Sequence, residues 1–289
     1  MDFVGKRKIW YILSLLIIVP GLFSLALQGL NLGIDFAGGN LVQVSFDKEV
    51  AIKELRDALN AVGLQDSGIQ ASDDNTFIIK TKVMEQAEQD QMIAALVKEV
   101  GKTEILRSEK VGPTIGKELR NAGLKALVIA IFLMVVYITF RFEFKFAIAA
   151  IIALLHDILV TLGVFSLLQI EVDSYFIAAV LTIFGYSIND TIVIFDRIRE
   201  NMKKSRKVDL AELVNSSIMQ TLTRSINTVL TVIFVLLALY FLGGQTTKIF
   251  VLALLIGITS GAYSSIFTAS PIWLDLRRFG KNKSLKANA

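Results

Sequence analysis

Six long apolar blocks interrupt this sequence, and each is long enough to cross a membrane. A transmembrane helix needs about 20 largely apolar residues, with a range of roughly 17–25. The blocks lie at approximately 9–27, 124–140, 146–168, 175–195, 225–242 and 249–274. The pattern therefore predicts an α-helical membrane protein with six transmembrane helices.

The first block also resembles a signal peptide, because Lys6, Arg7 and Lys8 precede it. Its length approaches a full span, however, and no A-x-A-like cleavage site follows it. The chain instead continues through Gly29 into a segment with the pattern of a folded domain. We expect an uncleaved first helix over 1–30.

One stretch between the first two blocks has the pattern of a small α+β domain. Residues 41–46 alternate as a half-buried strand does, and strands are also indicated near Ile69, at 76–80 and at 103–111. Apolar residues recur at helical spacing over 52–62 and 92–100, each run being closed by a glycine. The order is strand, helix, strand, strand, helix, strand, which indicates a ferredoxin-like fold. We predict this domain over 31–120.

Basic residues beside the apolar blocks predict on which side of the membrane each terminus and each loop lies. Arg141 and Lys145 bracket one short turn, six Lys or Arg residues lie at 197–207, and five lie at 277–286. The turn near Glu171 and Asp173 is acidic. By the positive-inside rule, both termini are cytoplasmic and the 31–120 domain is extracytoplasmic. The membrane region then covers 121–275, with a cytoplasmic or interfacial loop at 197–222 and a basic cytoplasmic tail at 276–289.

Apolar residues between Val208 and Leu222 also recur on one helical face. Two interpretations stay open for them. The segment is either an interfacial helix on the cytoplasmic membrane surface, or the early start of the fifth spanning helix.

Composition excludes several kinds of function. The net charge is +4, but many basic residues adjoin apolar blocks, which favours contact with membrane lipids over a nucleic-acid partner. The sequence has no cysteine and one histidine, so disulfides and a multi-histidine metal site are excluded. It has no G-x-x-x-x-G-K-[ST] loop, and the pattern indicates neither ATP hydrolysis nor any cofactor. We expect no enzyme.

Two ionisable residues at membrane depth are the main candidates for chemistry. Asp190 lies six residues before Asp196, hence about 9 Å deeper along a helix. Arg224 opens the fifth block at a similar depth. A buried charge costs about 2.5–3.5 kcal/mol on insertion scales, so such residues indicate function. An aspartate that alternates between arginine and a proton could couple proton passage to a helix movement, whereas a static pair would only fix helix register.

Further polar residues lie in the same blocks. His156 and Asp157 stand midway along the third block, as either a relay element or a structural hydrogen-bonding pair. Asn189 and Ser187 flank Asp190 and could bond across helices or line a water path. Gly257-x-x-x-Gly261 in the sixth block fits close helix packing.

A glycine-rich segment follows the first block, from Gly33 through Asp35 and Phe36 to Gly38 and Gly39. It predicts a tight turn at the entry to the small domain, with Asp35 able to cap local amides. No buried strand of a βαβ unit precedes it, so a dinucleotide site is disfavoured.

These segments resemble the SecD/SecF family of the RND transporter superfamily. The matching motifs are G-I-D-F-A-G-G at 33–39, V-G-P at 111–113, H-D at 156–157, G-Y-S-I-N-D-T at 185–191, D-R-I-R-E-N at 196–201, and Q-T-L with Arg224 at 220–224. They stand in the family's order and cover nearly the whole chain.

The resemblance implies that Asp190 and Arg224 occupy the family's proton-coupling positions, with sodium as an alternative ion. It implies that the six helices form half of a twelve-span RND-type bundle completed by SecD. It also implies partnership with the SecYEG channel, often with YajC, and action on exported unfolded polypeptides. Two other hypotheses stay open, namely half of an RND exporter of small molecules or lipids, and a scaffold of the channel complex without transport.

Overall fold

The computed structural model describes residues 2–72, 75–204 and 209–287, with side chains described as far as 278 except at 245. Along the chain the elements are α1 (Arg7–Gln28), α2 (Ile34–Ala37), β1 (Gly39–Phe46), α3 (Ile52–Asn60), β2 (Gly68–Ala71), β3 (Thr76–Thr81), α4 (Gln86–Glu99), β4 (Thr103–Val111), α5 (Pro113–Arg141), α6 (Phe144–Leu167), α7 (Ser174–Lys204), α8 (Leu210–Leu242), α9 (Gln245–Ser264), a π-helical turn (Ser265–Ala269) and α10 (Ser270–Ala287). They form two compact units, one of Met1–Asn31 with Lys125–Ala289 and one of Leu32–Leu124.

Six helical segments of the described chain are long and apolar enough to cross a membrane, which confirms the predicted number. They are α1, α5, α6, α7, α8 and a sixth segment, Thr246–Arg278, that runs from α9 through the π-helical turn into α10. About half of the residues in the apolar windows of α6, α7 and the sixth segment are buried by protein, against 11–17% in the other three. Polar side chains on the buried faces of these three inner helices are therefore shielded from lipid.

The small unit is a four-stranded antiparallel sheet in the order β2-β3-β1-β4. With α3 and α4 in the connections, this is the predicted ferredoxin-like arrangement. Alternate residues of β1, namely Val42, Val44 and Phe46, are buried with the apolar faces of both helices. The single core therefore lies between the sheet and its two helices.

The predicted loop at 197–222 is mostly helical, which corrects that boundary. Helix α7 continues to Lys204 and α8 begins at Leu210, while 205–208 lie outside the described residues. From Leu210 onward, the amphipathic face predicted between Val208 and Leu222 belongs to the start of α8, because Val214 and Ile218 are fully buried in protein. Its polar edge meets α7, where the amide of Asn201 donates to Ser217 Oγ at 2.9 Å. The interfacial-helix interpretation was therefore wrong, since burial in protein and burial in lipid produce the same periodicity.

The predicted tail at 276–289 is also helical as far as Ala287, as part of α10. Its last two residues lie outside the described chain.

The glycine-rich segment at 33–39 forms the one-turn helix α2 between two glycines, where a tight turn was predicted. Gly38 ends this helix with φ = 80°, in the left-handed region that favours glycine. A Cβ at Gly38 would stand 3.3 Å from backbone atoms of Val111 and Pro113. A side chain at Gly38 would therefore be tight against the end of β4 and the start of α5, in addition to the strain of its positive φ.

We expect Gly38→Ala to destabilise the small unit by about 1–2 kcal/mol, the cost of a left-handed conformation for a residue with a Cβ. Hydrogen exchange of the β1 and β4 amides in the full chain measures this loss. Gly112→Ala is the matched control, because a Cβ there meets no atom within 4 Å. Equal exchange in the two variants would contradict the prediction.

Candidate functional site

The carboxylate of Asp157 on α6 is fully buried and has four hydrogen-bond partners. Its Oδ1 accepts from Ser260 Oγ at 2.7 Å and lies 3.0 Å from His156 Nδ1. Its Oδ2 accepts from Ser187 Oγ at 2.7 Å and from Ser264 Oγ at 2.8 Å. One carboxylate thus joins α6, α7 and α9 in the interior of the bundle.

His156 extends these contacts to α1. Its Nε2 lies 3.0 Å from Ser14 Oγ, which lies 3.3 Å from the hydroxyl of Tyr263. Tyr263 in turn donates to the carbonyl oxygen of Trp10 at 2.8 Å. The Asp157 network, as we call it, comprises Trp10, Ser14, His156, Asp157, Ser187, Ser260, Tyr263 and Ser264.

Helix geometry explains how α9 reaches this carboxylate. Ser260 and Ser264 are four residues apart, so both side chains lie on one face. Gly261 beside them allows close approach, because a Cβ there would stand 3.1 Å from the Cβ of Ser187. A Cβ at Gly257 would likewise clash with the side chain of Ile183. The Gly257-x-x-x-Gly261 motif therefore packs α9 against α7, as the sequence predicted.

Asp190 lies on α7, three residues beyond Ser187, and only 6% of it is exposed. Its cavity has a volume of about 10 Å³, room for roughly one water molecule. The lining comes from α7, α8 and α9 and includes Ser187, Asn189, Thr228 and Gly261. No ion pair within 4 Å and no side-chain hydrogen bond involves Asp190 among the described residues, so its carboxylate faces this cavity without a direct partner.

Arg224 lies on α8, the neighbouring helix, and its side chain is exposed. Its charge acts on Asp190 electrostatically, although the two groups do not form an ion pair in the part of the chain that the structure describes. The carbonyl oxygen of Arg224 accepts from Thr228, which lines the Asp190 cavity. The structure thus places the predicted pair on adjacent helices without direct contact.

Ser187 connects the two carboxylates. Its hydroxyl donates to Asp157, and the same residue lines the cavity of Asp190. One turn further along α7, Thr191 Oγ1 lies 2.9 Å from Ser265 Oγ, at the start of the π-helical turn. Such turns inside helices are frequent at functional sites. The sixth segment therefore contacts the Asp190 face of α7 where its own helical geometry changes.

The order Ser14, His156, Asp157 is that of a hydrolase triad, but the surroundings do not fit one. Serine hydrolases need free donors for a developing oxyanion. Ser14 lies inside α1, which is described throughout, and helix amides there bond to carbonyl groups four residues earlier. The described residues also contain no group of three or more acidic, His or Cys side chains arranged to hold a metal. What the contacts do show is a hydrogen-bonded network that joins α1, α6, α7 and α9.

Of the predicted site residues, the structure brings Ser187, His156 and Asp157 together. Asn189 is exposed and lines the Asp190 cavity, and Arg224 stands apart. Gly33, Asp35, Gly38 and Gly39 belong to the small unit. Sequence reasoning missed Ser14, Ser260, Tyr263 and Ser264. The spacing of Ser260 and Ser264 around Gly261 was a usable signal for one polar face, whereas nothing marked Ser14.

Comparison with known proteins agrees with this architecture. Residues 92–279 match the family described as protein export membrane protein SecD/SecF, C-terminal, and residues 23–50 match the SecD/SecF GG motif. The chain belongs to the SecD/SecF family. The two matches include the glycine-rich segment and all six ionisable or polar candidates on α6, α7 and α8.

Full-length relatives within the SecD/SecF family include a protein translocase subunit SecF from Sebaldella termitidis, 42% identical over 100% of this chain and 96% of its own length. Another, from Thermobaculum terrenum, is 45% identical over 93% of this chain and 92% of its own. The crystal structure of SecDF, a translocon-associated membrane protein from Thermus thermophilus, superposes with a TM-score of 0.87 at 37% identity. That match covers 96% of this chain but only 39% of the SecDF chain.

Proposed function

We propose that this chain is an accessory subunit of Sec protein export that couples the proton-motive force to late steps of export. Its relatives are translocase subunits, and its fold is that of part of SecDF. The observation that supports coupling is the buried carboxylate of Asp190, which faces a small cavity and has no direct partner among the residues that the structure describes. A carboxylate in that position can bind a proton and release it.

Arg224 supplies the positive charge that responds to the ionisation of Asp190. Arginine stays protonated, so it can act as a counter-charge but not as a proton carrier. An ionised Asp190 attracts Arg224 from the adjacent helix, and a protonated one releases it. Proton binding would in this way change how α7 and α8 pack.

The available energy is sufficient for such a switch. One charge crossing the membrane gains about 2.3 kcal/mol per 100 mV. Because about 1.4 kcal/mol is a tenfold change, this corresponds to roughly 50-fold in an equilibrium. One proton per cycle could therefore bias two arrangements of α7 and α8 strongly.

We further infer the orientation and the partners. Arg141 ends α5, Arg199 lies in the last two turns of α7, and Arg277 lies at the end of the sixth spanning segment. The positive-inside rule assigns these positions to the cytoplasm, so both termini are cytoplasmic and the small unit is extracytoplasmic. SecD supplies the other half of the bundle, and the complex acts with the SecYEG channel and YajC on exported unfolded polypeptides. The solved SecDF chain, of which this chain covers 39%, supports the assignment of SecD.

The test is export of a secreted reporter in cells depleted of the native subunit and complemented with matched levels of each variant. We expect Asp190→Asn and Arg224→Met to assemble with SecD but to lose the export stimulated by the proton-motive force, a loss of up to about 50-fold per coupled proton. Replacing the proton gradient with a sodium gradient in membrane vesicles identifies the coupling ion.

Asp196→Asn is the matched control, because Asp196 lies on the same helix but is 44% exposed in an ion pair with Arg141 at 3.5 Å. It should export as the wild type does, since exposed pairs contribute about 0–1 kcal/mol. Normal, gradient-dependent export by Asp190→Asn would instead leave the chain as a scaffold of the channel complex.

A further inference from the structure

In the Asp157 network, the contacts of both ring nitrogens of His156 need a hydrogen, and a neutral imidazole carries a hydrogen on only one of them. The hydroxyl of Tyr263 gives its hydrogen to the carbonyl oxygen of Trp10. The hydrogen that links Tyr263 to Ser14 must then come from Ser14. Because a hydroxyl donates only one hydrogen, Ser14 cannot also donate to His156. The 3.0 Å contact between Ser14 Oγ and Nε2 therefore needs a hydrogen on the ring nitrogen.

The other ring nitrogen requires a hydrogen as well. Nδ1 lies 3.0 Å from Asp157 Oδ1, and two bare acceptors at that distance would repel each other. The hydrogen between them belongs either to Nδ1 or to the carboxyl group. In both cases His156 and Asp157 together hold one proton more than a neutral imidazole beside a carboxylate.

Electrostatics favours the same proton count. Asp157 is fully buried and His156 is 6% exposed. An isolated buried carboxylate costs several kcal/mol even after relaxation. With the additional proton the pair is electrically neutral, while the serine hydroxyls of α7 and α9 still donate to Asp157.

We propose that His156 and Asp157 form a second proton-binding site in the bundle, separate from Asp190 and connected to it by Ser187. Loss of the proton leaves a buried negative charge and requires Ser14 to turn its hydrogen from Tyr263 to Nε2. The change reaches α7 through the hydrogen bond from Ser187 to Asp157. The proton site itself does not depend on the function proposed above, but its connection to coupling rests on that function.

Other titratable groups lie around this site. Tyr263 of α9 belongs to the network, and Asp190 of α7 lies one turn beyond Ser187. On α1, Tyr11 and Arg7 both donate hydrogen bonds to Asp275 of α10 and not to His156 or Asp157. Asp190 is therefore the carboxylic acid whose ionisation we expect the site to sense.

The sequence offers a direct probe, because His156 is the only histidine of the 289 residues. The full chain carries an affinity tag without histidine and is labelled with [¹⁵N]histidine. It is then assembled with its unlabelled partner in lipid nanodiscs. Nitrogen NMR then reports the protons on this one ring. We expect Nε2 to carry a proton at pH 7. A bare Nε2, with the ring's only proton on Nδ1, would overturn the proposal.

Two variants on α1 keep the result interpretable. Ser14→Ala removes the partner of Nε2 and should change the ring signals. Ser24→Ala removes a comparable bond to α6, the 2.7 Å contact with Ser166, and should leave the signals unchanged. Equal effects of the two variants would show that the ring senses only packing of α1, which contradicts the assigned network.

The connection to Asp190 has its own measurement. We expect Asp190→Asn to shift the pH at which the Nε2 proton is lost, and Ser187→Ala to remove most of that shift, as coupled residues do in a double-mutant cycle. A shift that persists in full without the serine hydroxyl would overturn the connection. A protonated Nε2 together with normal export by Asp190→Asn would keep the second site and refute the coupling proposed for Asp190.

Discussion

Replacing Asp157 with alanine should destabilise the membrane bundle by about 3–5 kcal/mol, the range found when one partner of a buried charged network is removed. Three serine hydroxyls and His156 would lose their common acceptor. Each buried polar group left without a partner costs about 1–3 kcal/mol. Part of this is recovered, because Ser264 already lies 3.3 Å from the carbonyl oxygen of Gly261 and can donate there.

Unfolding of the purified chain in mild detergent, followed by loss of helix signal with increasing denaturant, measures this effect. Asp157→Asn retains a carbonyl acceptor and should lose less stability than Asp157→Ala. Asp196→Ala removes a carboxylate of similar size from an exposed position and should cost no more than about 1 kcal/mol. If Asp157→Ala and Asp196→Ala proved equally stable, the serine hydroxyls would have other acceptors and the network would not hold the helices together.

The large features of the fold were predictable because each depends on local sequence. Long apolar runs cannot be placed elsewhere than in a membrane or a core, so they predicted the spans. In the small unit, the alternation of apolar residues in β1 predicted a strand and the helical spacing in α3 predicted a helix. The order of these elements along the chain then predicted the ferredoxin-like topology. Each inference required only neighbours along the chain.

The site was predictable only in part, because it depends on how helices rotate about their axes. Asp190 and Asp157 were predicted as candidate site residues because they are ionisable residues inside apolar blocks. The partners of Asp157 are serines, which are common in membrane helices and carry no such signal. Only packing reveals that serines of α7 and α9 meet at Asp157, and that Ser14 meets His156. The same limit left two interpretations open for the segment between Val208 and Leu222, of which only the early start of the fifth helix agrees with α8.

The contact between α1 and α6 has a regular spacing that the sequence did not reveal. Ser14 meets His156, Gly21 meets Gly163, and Ser24 meets Ser166. Each pair is separated by 142 residues, so the two helices run parallel and in register. The two glycines lie between the serine contacts. They set the distance at which both hydrogen bonds can form.

We therefore expect Gly163→Val to destabilise the bundle by about 3 kcal/mol, at the upper end of the usual cost of overpacking. A Cβ at Gly163 would stand 2.9 Å from the Cα of Gly21, and one at Gly21 would stand 2.6 Å from the Cα of Gly163. These neighbours are backbone atoms, which cannot turn aside as a flexible side chain can. The helices must separate, and the Ser14–His156 and Ser24–Ser166 bonds should lengthen with them.

Unfolding in detergent measures the stability of Gly163→Val, and the nitrogen signal of its single histidine reports the separation of the helices at Ser14. Gly185→Val is the matched control, since a Cβ at this position of α7 meets no atom within 4 Å. It should change stability by no more than about 0.5 kcal/mol, as surface substitutions usually do. If Gly163→Val lost stability but left the histidine signal unchanged, α1 would yield locally at Gly21, and the two helices would not behave as one rigid pair.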